Sequence, residues 1–184
     1  KPKYLFTAGS VSENIAKKYP KKIKVIKGHT FDFDKYLKAK NEPPIENFVD
    51  SIVYIDQDFE SNYEFIICNE PHLTAKDFHW DSLNSFLGNL SKKLNKKVII
   101  AAHPKRNKEV KIKTDFEVIY SQTVSLIKNA SLVTGHNSTA VALVSLFKKP
   151  YICLSTEQLM RDAHFFLSIK IVLGRNFFLN PIYR

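Results

Sequence analysis

The sequence predicts an α/β domain of the Rossmann-like class, a three-layer sandwich built on a mainly parallel sheet. The first observation is a series of short apolar segments, among them Val98–Ala102 and Ser131–Thr134, that have the length of strands. Such segments, apolar throughout, are typical of parallel strands covered on both faces. The second observation is that helical patterns of roughly 10 residues separate these segments, which favours βαβ units.

The elements follow in order along the chain. Apolar runs predict strands, or at 64–68 an extended element, at residues 4–7, 24–26, 51–55, 64–68, 98–102, 116–120, 131–134 and 151–154. Recurring apolar positions and capping residues predict helices at residues 31–37, from 81 to about 94, 121–127, 137–147 and after 155. Asp32 or Asp34 and Ser121 are the expected caps of two of these helices.

The clearest break in the pattern is Asn41-Glu42-Pro43-Pro44, since two prolines disfavour both helix and sheet. We expect residues 1–48 to lead from an N-terminal domain that lies mostly outside this sequence, and residues 49–184 to form the Rossmann-like domain. The two cysteines lie in apolar runs and predict buried thiols. There is no secretory signal pattern, so we expect a cytoplasmic protein.

The formal net charge is +10, and the lysines cluster at residues 17–27, 92–97 and 105–113. This surplus favours an anionic partner such as a nucleotide, an anionic lipid head group or a nucleic acid. The alternative is an ordinary solvated surface rich in lysine. The aromatic residues are not interleaved with the basic clusters, and no nucleic-acid motif is present, which argues against nucleic acid.

Two apolar runs end in a histidine, and in an open α/β sheet such endings line the ligand crevice. The second of them continues as Gly135-His136-Asn137-Ser138-Thr139, before a helix that is apolar almost all round. Asn137 or Ser138 would cap that helix, whose free amides, with the Ser138 and Thr139 hydroxyls, would bind a phosphate. Gly135 would allow close backbone approach. The alternative is plain helix capping with an exposed His136.

The first run continues as His103-Pro104-Lys105-Arg106. Pro104 fixes the turn and favours an extended His103, whose imidazole would contact a phosphate, a ribose or a base. Lys105 and Arg106 would add positive charge, Arg106 as a bidentate phosphate ligand. The alternative is a structural loop histidine.

Acidic and metal-binding patterns are weak. Asp56, Asp58 and Glu70 are candidate bases, but we interpret each as a turn or surface carboxylate, and Glu157 as a ribose contact or a partner of a helix dipole. The histidines and cysteines lack zinc spacing, and there is no P-loop or Gly-x-Gly-x-x-Gly motif. We therefore expect no metal site and no required cofactor.

Taken in order, Ala101–Pro104, Val133–Ala140 and Lys149-Pro150 resemble the C-terminal half of GT-B glycosyltransferases of bacterial surface-carbohydrate synthesis. The His-Pro and Ser-Thr pairs are similar to nucleotide-binding motifs of bacterial sialyltransferases and polysialyltransferases, and to motifs of capsule-type Kdo and polyol-phosphate transferases. Tyr54–Gln57 resembles the first strand of such a domain. The resemblance covers about 51–160.

The resemblance implies half of a GT-B fold and transfer of a sugar from a nucleotide-sugar, preferably CMP-linked, to a surface glycan or lipid-linked acceptor. His103 would be the catalytic residue that contacts the donor and assists the departing nucleotide, and Ser138 and Thr139 would bind its phosphate. The general base of such families is an acidic residue of the N-terminal domain, so this chain alone is expected to bind nucleotide without turnover.

A peripheral position at the anionic inner membrane fits the lysine clusters. The competing hypothesis is a non-catalytic module that binds anionic glycan or a membrane surface through those lysines.

Overall fold

Two parallel sheets are present in the part of the chain that a computed structural model describes, residues 2–59, 76–109, 111–136, 138–155 and 179–181. The first sheet pairs β1 (Tyr4–Ala8) with β2 (Lys24–Gly28). The second has six strands: β3 (Ile52–Ile55), β4 (Val98–Ala101), β5 (Glu117–Ile119), β6 (Leu132–Gly135), β7 (Tyr151–Ser155) and β8 (Leu179–Pro181). Every pairing between these strands is parallel.

The order of the larger sheet is β5-β4-β3-β6-β7-β8. Counted from its first strand, this is the Rossmann order 3-2-1-4-5-6, in which the direction of winding reverses between the first and fourth strands. Here those two strands are β3 and β6, which pair from Ile52↔Leu132 to Ile55↔Gly135. The predicted Rossmann-like class is therefore confirmed, and its crevice lies where β3 and β6 end.

Helices cover both faces of this sheet. The described helices are α1 (Gly9–Ala16), α2 (Phe31–Ala39), α3 (Lys76–Leu94), α4 (Thr123–Asn129) and α5 (Val141–Leu146), with a 3₁₀ turn at Glu46–Phe48. Alternate residues of β3 point to opposite faces: Val53 and Ile55 pack with α4 and α5, whereas Ile52 and Tyr54 pack with α3. The sheet thus lies between two helical layers, as the predicted three-layer sandwich requires.

Several element boundaries differ from the prediction. Helix α3 begins at Lys76 rather than at Asp81. Ser121 does not cap α4 but adopts a left-handed conformation with a φ of 61°. The residue that precedes α2 is Thr30, and Asp32 and Asp34 lie in its first turn. The predicted strand at 64–68 and the predicted helix after 155 lie outside the described residues.

The largest difference is the helix expected at 137–147, which is only Val141–Leu146. Ser138, Thr139 and Ala140 form tight turns instead, with their carbonyls accepting the N–H groups of residues 141, 142 and 143 at 3.0, 3.1 and 3.0 Å. The Ser138 hydroxyl also accepts the Ala140 N–H at 3.2 Å. Serine side chains that bond the nearby backbone favour turns over helix, which explains the late start.

The segment before the proline break divides between the two sheets. Helix α1 packs on β1 and β2, whereas α2 packs against α4 and α5 of the larger sheet. The division at residue 48 stays a prediction. The structure adds that α2, which precedes that position in sequence, belongs to a helical layer of the larger sheet.

Cys153 is a buried free thiol in β7, as predicted, and Cys68 lies outside the described residues. Among the helices of the described ranges, none is both long enough and apolar enough to cross a membrane.

Candidate functional site

A cleft of about 360 Å³ opens at the carboxyl ends of β3 and β4, beside the turn that follows β6. This volume falls at the lower end of the range typical of small-molecule sites. Five of the residues that the sequence analysis proposed for binding or catalysis line it: Asp56, His103, Pro104, Ser138 and Thr139. Residues about 35 positions apart in sequence therefore meet at the switch point of the sheet, where ligands of open α/β folds bind.

His103 follows the last residue of β4 by two positions and is partly buried. Its Nδ1 accepts the Lys105 backbone N–H at 3.3 Å. A neutral imidazole that accepts at Nδ1 carries its proton on Nε2. The neutral ring therefore has one hydrogen-bond donor left, at Nε2.

Arg106 does not line the cleft; its side chain is buried, with 2% exposed. Its Nε lies 2.7 Å from Asp56 Oδ2, and its Nη2 lies 3.0 Å from Asp56 Oδ1 and 3.1 Å from Asp58 Oδ1. The guanidinium also lies over the Trp80 ring, 5.8 Å from its centroid. This corrects the predicted phosphate contact of Arg106, because the Nε and Nη2 donors of its guanidinium already bind carboxylates inside the protein.

Asp56 and Asp58 are not surface carboxylates, since the two residues are 3% and 2% exposed, but they do lie in a turn, where the Asp58 N–H donates to Asp56 Oδ1 and Asp58 has a φ of 54°. Asp56 accepts four hydrogen bonds: two from Arg106, one from the Asp58 N–H at 2.9 Å and one from the His103 N–H at 3.1 Å. A buried carboxylate needs such partners to keep its charge. Asp56 thereby ties the end of β3 to the loop after β4 and fixes the main chain at His103.

Gly135 also has a different role from the one expected. A Cβ there would lie 3.1 Å from the Ile55 carbonyl oxygen and 3.2 Å from the Ile55 Cβ. The absent side chain therefore lets β6 pack closely on β3, and Gly135 does not line the cleft. This corrects the expectation that its backbone approaches a ligand.

His136 is buried, with 1% exposed, and does not line the cleft. Its Nδ1 donates to the Leu154 carbonyl at 3.0 Å, and its ring packs edge-on against Tyr54 and Phe59, with centroids 6.2 and 5.0 Å away. Its own carbonyl accepts the Tyr151 hydroxyl at 2.6 Å. Burial, and then the neighbouring Cys153, raise the pKa of Tyr151 well above its usual value, which keeps that donor protonated. The side chain of His136 therefore joins β6 to β7, and both the phosphate-facing and the exposed interpretation are corrected.

The turn at Ser138 and Thr139 offers less to an anion than a long helix would. The N–H groups of Ala140, Val141 and Ala142 already have partners, and α5 has only six residues. What remains is the Ser138 hydroxyl, whose proton is still available to donate, the exposed Thr139 hydroxyl, and the Ser138 and Thr139 N–H groups, which have no acceptor among the described residues. Asn137 and Glu157 lie outside the described residues.

Four polar residues that the sequence analysis did not assign to the site also line the cleft: Asp32, Lys35, Ser121 and Thr123. Asp32 and Lys35 come from α2, and their i,i+3 spacing puts both on one helix face. That spacing is visible in the sequence, but nothing in it places α2 at the strand ends. Lys105, by contrast, is exposed and does not line the cleft. Across the described residues, no group of three or more histidine, cysteine, aspartate or glutamate residues is arranged to hold a metal ion.

The sequence matches no protein-family model. No curated protein matches it either. Among solved structures, the chain is similar to the UDP-GlcNAc 2-epimerase of Methanocaldococcus jannaschii in complex with UDP-GlcNAc and UDP, at 16% identity and a TM-score of 0.49. The likeness covers 95% of this chain and 55% of the epimerase, so the chain spans about half its length. The fold assignment rests on the strand order of this chain and not on that likeness.

Proposed function

We propose that this chain is the donor-binding part of a glycosyltransferase that takes a sugar from a nucleotide-sugar. The observation that carries the proposal is the cleft at the switch point, which His103, Ser138 and Thr139 line together. A nucleotide-sugar needs hydrogen-bond donors at its phosphate, and these three side chains all carry one. The order of the His-Pro and Ser-Thr pairs, which resembles that of GT-B enzymes, supports the same function.

The chemistry would be displacement at the sugar carbon that bears the phosphate. When the bond from that carbon to the phosphate oxygen breaks, negative charge grows on the departing nucleotide. Donors already held in place stabilise such charge most effectively. His103 would donate from Nε2 to the leaving phosphate, and the Ser138 and Thr139 hydroxyls would bind its other oxygens. The four hydrogen bonds of Asp56 support this role, because they hold the loop of His103 before any ligand binds.

The finer parts of the proposal come from the sequence resemblance. A CMP-linked sugar is the preferred donor, and a surface glycan or a lipid-linked glycan is the acceptor. Residues 49–184 would form the nucleotide-sugar-binding half, and the acidic base that activates the acceptor would belong to the other half. The chain would work in the cytoplasm, at or near the inner membrane.

A nucleotide panel read by calorimetry and thermal unfolding tests this function. We expect CMP to bind best, ahead of UMP, UDP, GDP and ADP. A nucleotide at roughly 100 times its dissociation constant should raise the free energy of unfolding by about 2.7 kcal/mol. His103→Ala should weaken binding more than tenfold, which is about 1.4 kcal/mol.

Lys105→Ala is the matched control, since Lys105 is two residues away but does not line the cleft. Its affinity should equal that of the parent chain. The proposal fails if no nucleotide of the panel binds, or if His103→Ala binds as tightly as Lys105→Ala.

A second candidate is a module that binds anionic glycan or membrane through its lysines. One observation favours it: Lys17, Lys18, Lys21 and Lys22, between α1 and β2, are all exposed. Glu13, the one acidic residue in positions 1–29, pairs with Lys27 at 3.0 Å. This function predicts salt-sensitive sedimentation with vesicles that contain anionic lipid, no sedimentation with neutral vesicles, and no response to nucleotide.

A further inference from the structure

The cleft has a cation that its strand-end motifs do not supply. We infer that Lys35 of α2 binds the phosphate of the ligand, and that Asp32 holds Lys35 in place until the ligand arrives. This inference rests on the proposed function, because it assumes that the cleft takes a nucleotide. It adds to that function a binding residue that comes from a helix before the proline break.

The charges around the cleft favour this role for Lys35. The basic residues of the loop after β4 do not face the cleft, since Arg106 is buried against two aspartates and Lys105 is not among the lining residues. Of the described residues that line the cleft, Lys35 is the single lysine or arginine. A phosphate bound there would otherwise meet hydroxyls, one imidazole and the carboxylates of Asp32 and Asp56. Lys35 is therefore the lining lysine that can offset the negative charge of a bound phosphate.

The packing of α2 holds Lys35 at the cleft. Helix α2 contacts α4 and α5, the helices that follow the lining residues Ser121 and Ser138. Tyr36, next to Lys35, packs into the core beside Phe147, with ring centroids 5.0 Å apart. Neighbouring positions on a helix keep a fixed angle to each other. The anchored Tyr36 therefore fixes the direction in which Lys35 leaves the helix.

The contacts of Lys35 leave it able to exchange partners. Its Nζ lies 3.1 Å from Asp32 Oδ1 and 4.6 Å from the centroid of the Phe31 ring, and 40% of its side chain is exposed. An ammonium group has three donors, and one serves Asp32. The other two can reach phosphate oxygens without loss of the Asp32 bond, or the phosphate can replace Asp32. In either case the Asp32 carboxylate repels the phosphate, and in the second case the two also compete for the Lys35 Nζ.

This competition gives the two residues opposite predicted effects. Removal of the Lys35 charge should weaken phosphate binding by about tenfold, the size expected for one charge-assisted hydrogen bond at a partly exposed site. Removal of the Asp32 charge should strengthen it by about threefold, because a nearby like charge is lost. If the Asp32–Lys35 pair were purely structural, both variants would bind the phosphate more weakly than the parent chain, or both would bind it equally well.

The experiment measures binding of CMP and of cytidine to the whole chain by calorimetry. Cytidine lacks the phosphate, so it reports on the base and ribose contacts alone. Lys35→Gln should weaken CMP about tenfold and leave cytidine unchanged, and Lys35→Arg should restore CMP binding. Asp32→Asn should tighten CMP. Lys38→Gln is the matched control, because Lys38 is exposed on the same helix and does not line the cleft.

Each outcome has a clear meaning. If the parent chain binds no nucleotide, the proposed function and this inference both fail. If the parent binds CMP but Lys35→Gln and Lys38→Gln bind it equally well, the inference alone fails. Equal losses of CMP and cytidine in Lys35→Gln would also overturn it, because the side chain would then act on the shape of the cleft and not on the phosphate.

Discussion

Replacement of Arg106 by methionine should destabilise the protein strongly. The side chains of Asp56 and Asp58 are 2% and 3% exposed, and Arg106 contacts both. Methionine keeps much of the volume of arginine but removes the charge and all its donors. Removal of one partner of a buried ion pair costs about 3–5 kcal/mol, because the remaining charge stays buried. Asp56 would lose two of its four hydrogen bonds at the same time.

Urea unfolding followed by circular dichroism measures this loss. With a slope of about 2 kcal/mol per molar, a loss of 4 kcal/mol lowers the midpoint by roughly 2 M. Lys105→Met is the control, since Lys105 is exposed and its replacement should change the free energy of unfolding by less than about 0.5 kcal/mol.

Asp58→Asn completes a double-mutant cycle. In the parent chain it should cost about 1–3 kcal/mol, because an amide replaces one end of a charged hydrogen bond. In the Arg106→Met background the same change should be neutral or stabilising, since it removes a buried charge that has lost its guanidinium. Equal midpoints for Arg106→Met and Lys105→Met, or additive effects in the cycle, would refute the reasoning.

Three other positions give further tests, the first two by the same urea assay. Gly135→Ala should lower the free energy of unfolding by about 1–3 kcal/mol, because its Cβ would meet Ile55 at 3.1–3.2 Å. Gly88→Ala, with open space around it inside α3, should raise that free energy by about 0.5–1 kcal/mol. Similar effects of the two substitutions would contradict the close packing of β6 on β3. Lys148→Gly should gain about 1 kcal/mol, because Lys148 ends α5 with a left-handed φ of 53° that glycine adopts without strain, and a loss would count against this. Burial raises the pKa of the Cys153 thiol from 9.0 to about 12, so in a Cys68→Ser background iodoacetamide should label Cys153 only after unfolding. The stability that the protonated thiol contributes should be complete below about pH 9 and be lost as the pH rises through about 12.

Strand positions were the most predictable part of the fold. The runs at 52–55, 98–101 and 132–135 are buried almost throughout, so their composition alone marks them as interior strands of a parallel sheet. Helix ends were less predictable. The side chain of Ser138 bonds to the backbone of its own turn, and that local competition delayed α5 although its apolar pattern begins earlier.

The site could be located from the sequence, but the direction of its side chains could not. The ends of β3, β4 and β6 had to meet at one edge of the sheet, which placed His103 and Ser138 together. Whether a charged side chain after a strand faces the cleft or the interior depends on partners far away in sequence. Arg106 turned inward because Asp56, 50 positions earlier, lies beneath its loop. His136 likewise found a carbonyl on the neighbouring strand.

The inward orientation of Arg106 and His136 changes which part of the chain supplies the positive charge of the cleft. Because the strand-end loops keep Arg106 and His136 inside, the exposed cation of the cleft comes from α2, on the N-terminal side of Pro43-Pro44. Helix α2 starts three residues after β2 ends, so the smaller sheet connects almost directly to the helix that carries Lys35. A helix from before the prolines therefore packs on the larger sheet, and residues 29–30 connect β2 to that helix. Any ligand that engages Lys35 will stabilise the packing of α2 on the larger sheet by the same free energy that this packing contributes to binding.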